Sequence, residues 1–368
     1  MLEFSGRWST TFGALALERR GVRVYGTYRY RGVAGRISGR CEGNVLRFRY
    51  VEPAESGRGE FCLSRDGRFT GSYRPKGALV SRTWSGHRGW DGLWDTDFGR
   101  LRLFQHRGEV RGCYSGASHA QLHGRVQGDE LDFRYSEAQA AGTGRFKLSE
   151  DGESFTGRWR ARGQRESRDW NGARTAAAGG TTWLVVLEAH WQKSLAEPEY
   201  AYGAMVRELF ARQPAVRVRQ RFFHDAGSLE HWCRELAYLA EPAILMIASH
   251  GLAEGLSVHG RLINTSKVLA ALRDVEDLRL LHFSSCLVGM DGERSLGGSR
   301  FPISGYTTAV DWGASALLEF TYLDLMLNRG LAPREAAMQL RKLVPYAGNR
   351  VPRGSPYPAA GFRFFPAR

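Results

Sequence analysis

A histidine and a cysteine each end a run of apolar residues in the second half of the chain. AILMIASHG ends on His250-Gly251, and LRLLHFSSC ends on Cys286. A thiol is a strong nucleophile only as the thiolate, and a neighbouring imidazole can accept its proton. The same imidazole can then protonate the amine that leaves when an amide bond is cleaved. The pair therefore predicts acyl-transfer chemistry, with His250 as the base and Cys286 as the nucleophile.

Backbone groups beside this pair suit the charge that develops in such a reaction. A tetrahedral intermediate needs hydrogen-bond donors for its oxyanion. The N–H groups of Gly251 and Cys286 are the candidates, because glycine lets a substrate approach the backbone closely. The structural alternative is that Cys286 is a small buried residue and His250 a core histidine. His259 and His282 are weaker candidates for the base, and His190 and His224 are candidate supporting groups.

The elements that must position the pair alternate between strand and helix. The pattern of strands is found in TWLVVLEAH, VRVRQRFF, AILMIASHG and LRLLHFSSC. Helical spacing is found between them, in YGAMVRELFAR and SLEHWCRELAYLA. Such alternation predicts a mostly parallel sheet covered on both faces. Reactive groups of these sheets lie at the carboxyl ends of the strands. If the strands before His250 and Cys286 are neighbours, the two side chains emerge at one edge.

These motifs resemble those of the caspase-like cysteine peptidases, and most closely the bacterial CHAT-type proteases. ASHG would supply the base, FSSC the nucleophile and FPISGYTTAVDW a strand that lines the substrate pocket, over about residues 181–328. The caspase signature Gln-Ala-Cys-x-Gly is absent, and 36 residues separate the pair where caspases have about 50. The resemblance implies an α/β caspase-like sandwich and a protease that cuts a partner protein in bacterial defence.

Three carboxylates are candidates for binding a basic side chain before the cleaved bond. Asp311 closes GYTTAVDW, Glu188 ends the first strand of this half, and Asp225 follows the second. Asp311 suits the cap of the next helix equally well. We expect cleavage after Arg or Lys.

The first half of the chain contains one module twice. FSGRWSTTFGALAL, which begins at Phe4, matches WDGLWDTDFGRLRL, which begins at Trp90, and LRFRY matches LDFRY. The offset is 86 at Trp8/Trp94, 85 at Gly57/Gly142 and 86 at Trp84/Trp170. A register kept over the whole module indicates duplication.

Each copy has the pattern of a small antiparallel barrel of about seven strands. Apolar and polar residues alternate in short runs, and Asp66-Gly67 and Asp151-Gly152 favour hairpins. Two meander barrels or one combined β structure satisfy this pattern. The Gly-x-Trp opening is similar to that of avidin- or lipocalin-like barrels. We interpret the four repeated tryptophans as core residues rather than a binding platform.

The predicted organisation is multidomain. Residues 1–89 and 90–174 form the two all-β modules, 175–182 a Gly/Ala-rich linker and 183–368 the peptidase domain. Ser295–Arg300 has the composition of an ordinary surface loop, and a mobile or self-cleaved loop is the alternative.

Composition limits the partners and the compartment. The net charge is +14, and residues 1–178 hold 31 of the 52 Lys and Arg but 20 of the 38 Asp and Glu. We interpret this excess as arginine on outer strand faces; nucleic-acid binding is the open alternative. Five spread cysteines without a CxxC pair predict reduced thiols, no metal and no cofactor. With no apolar run of 18 residues and no signal-like start, we expect a cytoplasmic protein without a membrane partner.

The function predicted from the sequence is that of a cysteine endopeptidase whose β modules regulate it through a partner or ligand. The alternative is a binding or sensor protein whose protease-like domain is inactive.

Overall fold

A computed structural model of the chain forms two compact units, Met1–Ala176 and Ala177–Arg368. The structure describes residues 4–30, 32–63, 68–106, 108–115, 120–149, 152–175, 181–192, 194, 196–197, 200–290 and 296–368. Asp66-Gly67, Asp151, Ser295 and linker residues 176–180, which the sequence analysis singled out, lie outside these ranges.

The first sequence module forms an antiparallel barrel. Strand β1 pairs with β2 and the ladder continues in order to β7, which pairs with β9, and β9 returns to β1. Eight strands thus close the barrel, and β8 is a ninth strand paired with β7. The bounds are β1 Gly6–Thr10, β2 Gly13–Arg20, β3 Arg23–Tyr30, β4 Val33–Glu42, β5 Val45–Val51, β6 Ser56–Leu63, β7 Arg68–Pro75, β8 Arg82–Thr83 and β9 Gly86–Arg88.

The second module repeats this arrangement. Strand β16 pairs with both β15 and β18, and β18 pairs with β10, which closes a second ring of eight strands. The bounds are β10 Gly92–Thr96, β11 Gly99–His106, β12 Glu109–Tyr114, β13 Ala120–Gln127, β14 Glu130–Ser136, β15 Ala141–Leu148, β16 Ser154–Ala161, β17 Arg168–Asp169 and β18 Gly172–Arg174. Antiparallel barrels were expected, but the expected seven strands were too few. The closing strands β9 and β18 have three residues each, too short to show alternation.

The repeated tryptophans lie in the barrel cores, as predicted. Trp8 and Trp84 are at most 2% exposed, and so are Trp94 and Trp170. The Trp84 Nε1–H group donates to Thr10 Oγ1 at 3.0 Å, and the Trp170 Nε1–H group donates to Thr96 Oγ1 at 2.9 Å. Each barrel interior is therefore filled with side chains, and the duplication preserves that packing.

The second unit contains a six-stranded sheet in the order β20-β19-β21-β25-β26-β27. All neighbours run parallel except β27, so the sheet is mixed and mostly parallel. Strands β22, β23 and β24 form a separate small sheet. The strand bounds are β19 Thr182–Ala189, β20 Val216–Phe223, β21 Ala243–Ala248, β22 His250–Leu252, β23 Gly255–Val258, β24 Arg261–Asn264, β25 Leu278–Ser284, β26 Ile303–Tyr306 and β27 Phe362–Phe365.

Helices cover this sheet. Their bounds are α1 Tyr202–Phe210, α2 Ala226–Glu235, α3 Thr265–Ala271, α4 Trp312–Leu327 and α5 Pro333–Leu343, with a short 3₁₀ helix at Leu236–Tyr238. Ile244 and Met246 of β21 share a core cluster with residues of α1, α4 and α5. Leu245 and Ile247 point to the other face and are also fully buried. Burial on both faces explains the continuous apolar run of β21. Within the described residues, every helix is too short or too polar to cross a membrane.

Candidate functional site

The two strands that lead to His250 and Cys286 are direct neighbours in the sheet. Strands β21 and β25 run parallel, and Ala248 pairs with Ser284 at their ends. Beyond this pair, the Ser249 N–H group donates to Ser285 Oγ at 3.2 Å, and the two hydroxyl oxygens are also 3.2 Å apart. These buried contacts tie the two chain segments together one residue before each candidate catalytic residue.

Gly251 and Cys286 approach each other closely. A β-carbon built on Gly251 would lie 2.0 Å from the carbonyl oxygen of Cys286 and 2.9 Å from its nitrogen. Both distances are far shorter than ordinary contacts, so a side chain at this position would separate the segments. The His250-Gly251 backbone therefore lies directly against the Cys286 backbone.

Cys286 lies in a tight turn immediately after β25. The Val288 N–H group donates to the Cys286 carbonyl at 2.8 Å, which closes a three-residue turn around Leu287. Leu287 has a φ of 63°, in the left-handed region that few residues other than glycine adopt. Gly289 N–H donates to Tyr306 O at 2.8 Å and fixes the turn to the end of β26. Turns that store backbone strain in this way cluster at functional sites.

The thiol of Cys286 faces the chain that precedes α4. The Val310 N–H group lies 3.4 Å from Cys286 Sγ, and the Val310 carbonyl oxygen lies 3.7 Å from it. The thiol donates to this carbonyl oxygen and its sulfur accepts from the N–H group, so the Val310 backbone holds the thiol in place. Cys286 as a whole residue is partly buried.

An aromatic side chain orients His250. The imidazole is exposed, and the Trp191 ring meets it edge-on, with ring centroids 5.2 Å apart and planes at 86°. Trp191 is itself fixed, because its Nε1–H group donates to Glu188 Oε1 at 2.6 Å. The sequence analysis did not identify Trp191.

Glu188 is fully buried and anchors several elements. Besides Trp191, its carboxylate accepts hydrogen bonds from the N–H groups of Tyr202 at 2.6 Å and Gly203 at 3.0 Å, and from Gln220 Nε2 at 2.8 Å. It thereby caps the start of α1, whose N-cap Ala201 has no side-chain acceptor. Its predicted role in substrate binding stays a prediction from the sequence.

Asp311 and Asp225 both cap helices. Asp311 Oδ1 accepts from the Ala314 N–H group at 3.0 Å at the start of α4, and Asp311 directly follows Val310, whose N–H group contacts the thiol. Asp225 accepts from the Ser228 N–H group at 2.7 Å at the start of α2, and this bond lowers the pKa of the carboxyl. Asp225 follows β20, which is three strands from β25, or about 14 Å at the usual spacing of strands. Of the two, Asp311 is the one that adjoins a residue in contact with Cys286.

His282 belongs to a buried network around Glu319. Its Nε2 lies 3.0 Å from Glu319 Oε1 and its Nδ1 lies 2.8 Å from Ser304 Oγ. Glu319 also accepts from the hydroxyls of Tyr306 at 2.8 Å and Ser284 at 3.0 Å. The network fixes the end of β25, two residues before Cys286. His282 therefore has a structural position beneath the candidate site.

The other histidines named from the sequence lie elsewhere on this unit. His190 and His224 have ring centroids 5.4 Å apart, at the ends of β19 and β20. His259 has a φ of 48° in the turn between β23 and β24. Among the described residues, no group of three or more His, Cys, Asp or Glu side chains is arranged to hold a metal ion.

Cys286 differs from the other cysteines in its burial, which is intermediate. Cys41, Cys113 and Cys233 are buried, and burial raises the pKa of the Cys233 thiol. Cys62 is exposed on the first barrel.

No known protein family or curated protein matches the sequence. The functional argument therefore depends on the residues of this chain.

Two residues that position the candidate site were missed at the sequence level, although one left a signal there. Glu319 stands alone as a charge in the apolar stretch ALLEFTYL, and such a residue predicts a buried polar partner. Trp191 follows β19 by two residues, and its contact with His250 comes only from the order β19-β21 in the sheet.

Proposed function

We propose that the second unit is a cysteine endopeptidase related to the caspase-like, CHAT-type proteases, with His250 and Cys286 as its catalytic dyad. The observation that carries the proposal is the close approach of Gly251 to the Cys286 backbone, which places the two residues at one sheet edge. The strained turn at Leu287 and the orienting contact of Trp191 support it.

The proposed reaction uses the dyad in two steps. His250 takes the thiol proton, and Cys286 Sγ attacks the carbonyl carbon of the substrate. The C–N bond then breaks as His250 returns the proton to the leaving amine. Water, deprotonated by His250, hydrolyses the resulting thioester and frees the thiol. The N–H groups of Gly251 and Cys286 are the proposed donors to the oxyanion.

We propose a preference for Arg or Lys before the cleaved bond. Asp311 supports this, because its carboxylate is exposed and directly follows Val310, whose N–H group lies against the nucleophile. An exposed carboxylate on the residue that follows this contact can pair with a cationic side chain of the substrate. By the same resemblance, the two barrels would regulate cleavage of a partner protein in bacterial defence.

A cleavage profile tests the proposal. The full chain and its Cys286→Ala variant are incubated with a cell lysate, and new protein N-termini are identified by mass spectrometry. We expect termini preceded by Arg or Lys that appear only with the unmodified chain.

If termini are identical for both proteins even after the dyad is shown to react with an electrophile, the endopeptidase proposal is wrong. A thiol that is also unreactive would favour a binding or sensor protein with an inactive protease-like domain.

A further inference from the structure

Three arginines lie directly opposite one another on the outer face of the first barrel. Arg49 of β5 pairs in register with Arg58 of β6, and Arg58 pairs with Arg74 of β7. All three are exposed, and none has an ion-pair partner among the described residues. Like charges directly opposite on neighbouring strands destabilise a sheet. This arginine row is therefore unfavourable in the folded barrel unless an anion compensates its charge.

The row continues into an exposed aromatic residue. Arg49 pairs with Ser38 of β4, and Ser38 pairs with Tyr25 of β3, which is 41% exposed. Beside Tyr25 lies a shallow depression of about 660 Å³ whose lining includes Arg36 and Val51. From Tyr25 to Arg74 the row crosses five strands, a span of about 19 Å at the usual strand spacing.

The second barrel shows that the fold does not require three arginines in register, because its equivalent row is Arg134, Thr143 and Arg160, in which a threonine separates the two arginines. The neighbouring row differs more strongly. In the first barrel, Arg23, Arg40 and Arg47 follow one another in register and reach Glu60. The equivalent row of the second barrel alternates in sign. It runs through Glu109, Arg125, Asp132 and Arg145.

Ion pairs neutralise that second row, since Arg125 meets Glu109 at 3.6 Å and Arg145 meets Asp132 at 2.6 Å. Residues 1–89 hold 17 Lys and Arg and 7 Asp and Glu, whereas residues 90–174 hold 14 and 13. Two barrels with one architecture thus carry net charges of +10 and +1. Most of this difference lies in the acidic residues, which are fewer in the first barrel and leave its arginines less neutralised.

We propose that this face of the first barrel binds single-stranded nucleic acid. The guanidinium groups of the arginine row would contact successive phosphates, because their planar forks match phosphate oxygens. Tyr25 would stack on an unpaired base, which a duplex does not offer. A peptide that adds as a β-strand fits less well, because β3 to β7, which carry the row, each have a neighbouring strand on both sides.

The test is the binding of the full chain to fluorescein-labelled oligo(dT) and oligo(U) of about 20 nucleotides, a length above the usual site size of a small barrel. Fluorescence anisotropy gives the affinity at salt concentrations between about 50 and 200 mM. The duplication offers a matched control. Arg49→Gln/Arg74→Gln removes two charges from the first barrel, and Arg134→Gln/Arg160→Gln removes two from equivalent positions of the second.

We expect the first-barrel variant to bind at least about tenfold more weakly, with a salt slope lower by about 1.4, and the second-barrel variant to change less than about twofold. Tyr25→Ala should weaken binding by about fivefold or more while leaving the salt slope unchanged. No binding at the lowest salt would overturn the proposal. Equal losses in both barrels would also overturn it, since net charge alone would then explain binding. So would binding to phosphatidylserine vesicles without binding to the oligonucleotides.

Discussion

Gly251 lies so close to Cys286 that no side chain fits between them. A β-carbon on Gly251 would lie 2.0 Å from the Cys286 carbonyl oxygen. This contact brings the segment after β21 against the turn after β25. It is also the geometric basis for regarding His250 and Cys286 as one site.

Gly251→Ala should therefore separate the dyad. We expect alkylation of Cys286 by a peptidyl electrophile to slow by at least about tenfold, because even small misplacements of reacting groups are costly. Gly348→Ala is the control, since a β-carbon there meets no atom within 4 Å. An unchanged rate in Gly251→Ala would show that the close approach has no role in reactivity.

Trp191 should matter for the orientation of His250 and not for its chemistry. Trp191→Phe keeps a ring against the imidazole but loses the bond to Glu188. Trp191→Ala loses both. We expect the alkylation rate of Cys286 to fall in the order wild type, Phe, Ala, with the same pH dependence in all three. A shifted pH profile would mean that Trp191 changes the ionisation of the dyad instead.

Asp311→Asn separates the two roles of this residue. Asn preserves the helix cap, whereas Ala would lose about 1 kcal/mol of stability with it. If the Asp311 carboxylate selects a basic residue, the preference for Arg over Gln in peptide substrates should fall at least about tenfold in Asp311→Asn. The thermal unfolding temperature should stay that of the wild type. An unchanged preference would remove Asp311 from the substrate site.

High pH should destabilise the second unit through its buried tyrosines. Burial, and then the Glu319 carboxylate, raise the pKa of Tyr202 and Tyr306 well above the usual value. The folded chain therefore keeps both phenol protons above about pH 10, where the unfolded chain releases them. The unfolded state then binds fewer protons, so the free energy of unfolding falls as pH rises above that value; below it these groups contribute no pH dependence.

Tyr306→Phe tests this dependence by urea unfolding across the alkaline range. The variant should lose about 1 kcal/mol at neutral pH with its bond to Glu319. Its stability should then fall less steeply above about pH 10 than that of the wild type. Tyr25→Phe, at an exposed position of the first barrel, should leave the slope unchanged. Equal slopes in Tyr306→Phe and wild type would contradict the assignment.

The sequence predicted the parts of this structure that follow from local patterns. The repeat of Trp8 and Trp84 at Trp94 and Trp170 predicted a duplicated β module with a filled core, as two barrels or one combined structure, since a duplicated apolar pattern folds twice in the same way. The apolar runs before His250 and Cys286 predicted two buried strands, and both are central in the sheet. In both cases the apolar residues that form the sequence pattern are the ones that the folded chain buries.

Contacts that depend on strand order were beyond the sequence. The position of Trp191 against His250, and of Val310 against Cys286, follows from which strands become neighbours. Closure of each barrel by a three-residue strand was equally hidden. The charge excess was visible, but its concentration in the register of Arg49, Arg58 and Arg74 required the pairing of β5, β6 and β7.

The central claim, that His250 activates Cys286, is tested most directly by the alkylation rate of Cys286 with a peptidyl chloromethyl ketone that carries arginine. Exposed Cys62 serves as the internal standard in the same chain, with iodoacetamide as a reagent that needs no catalytic site. We predict rapid labelling of Cys286 in the wild type and a rate at least about a hundredfold lower in His250→Ala, with Cys62 labelled equally in both. Equal labelling of Cys286 in the two proteins would contradict the account.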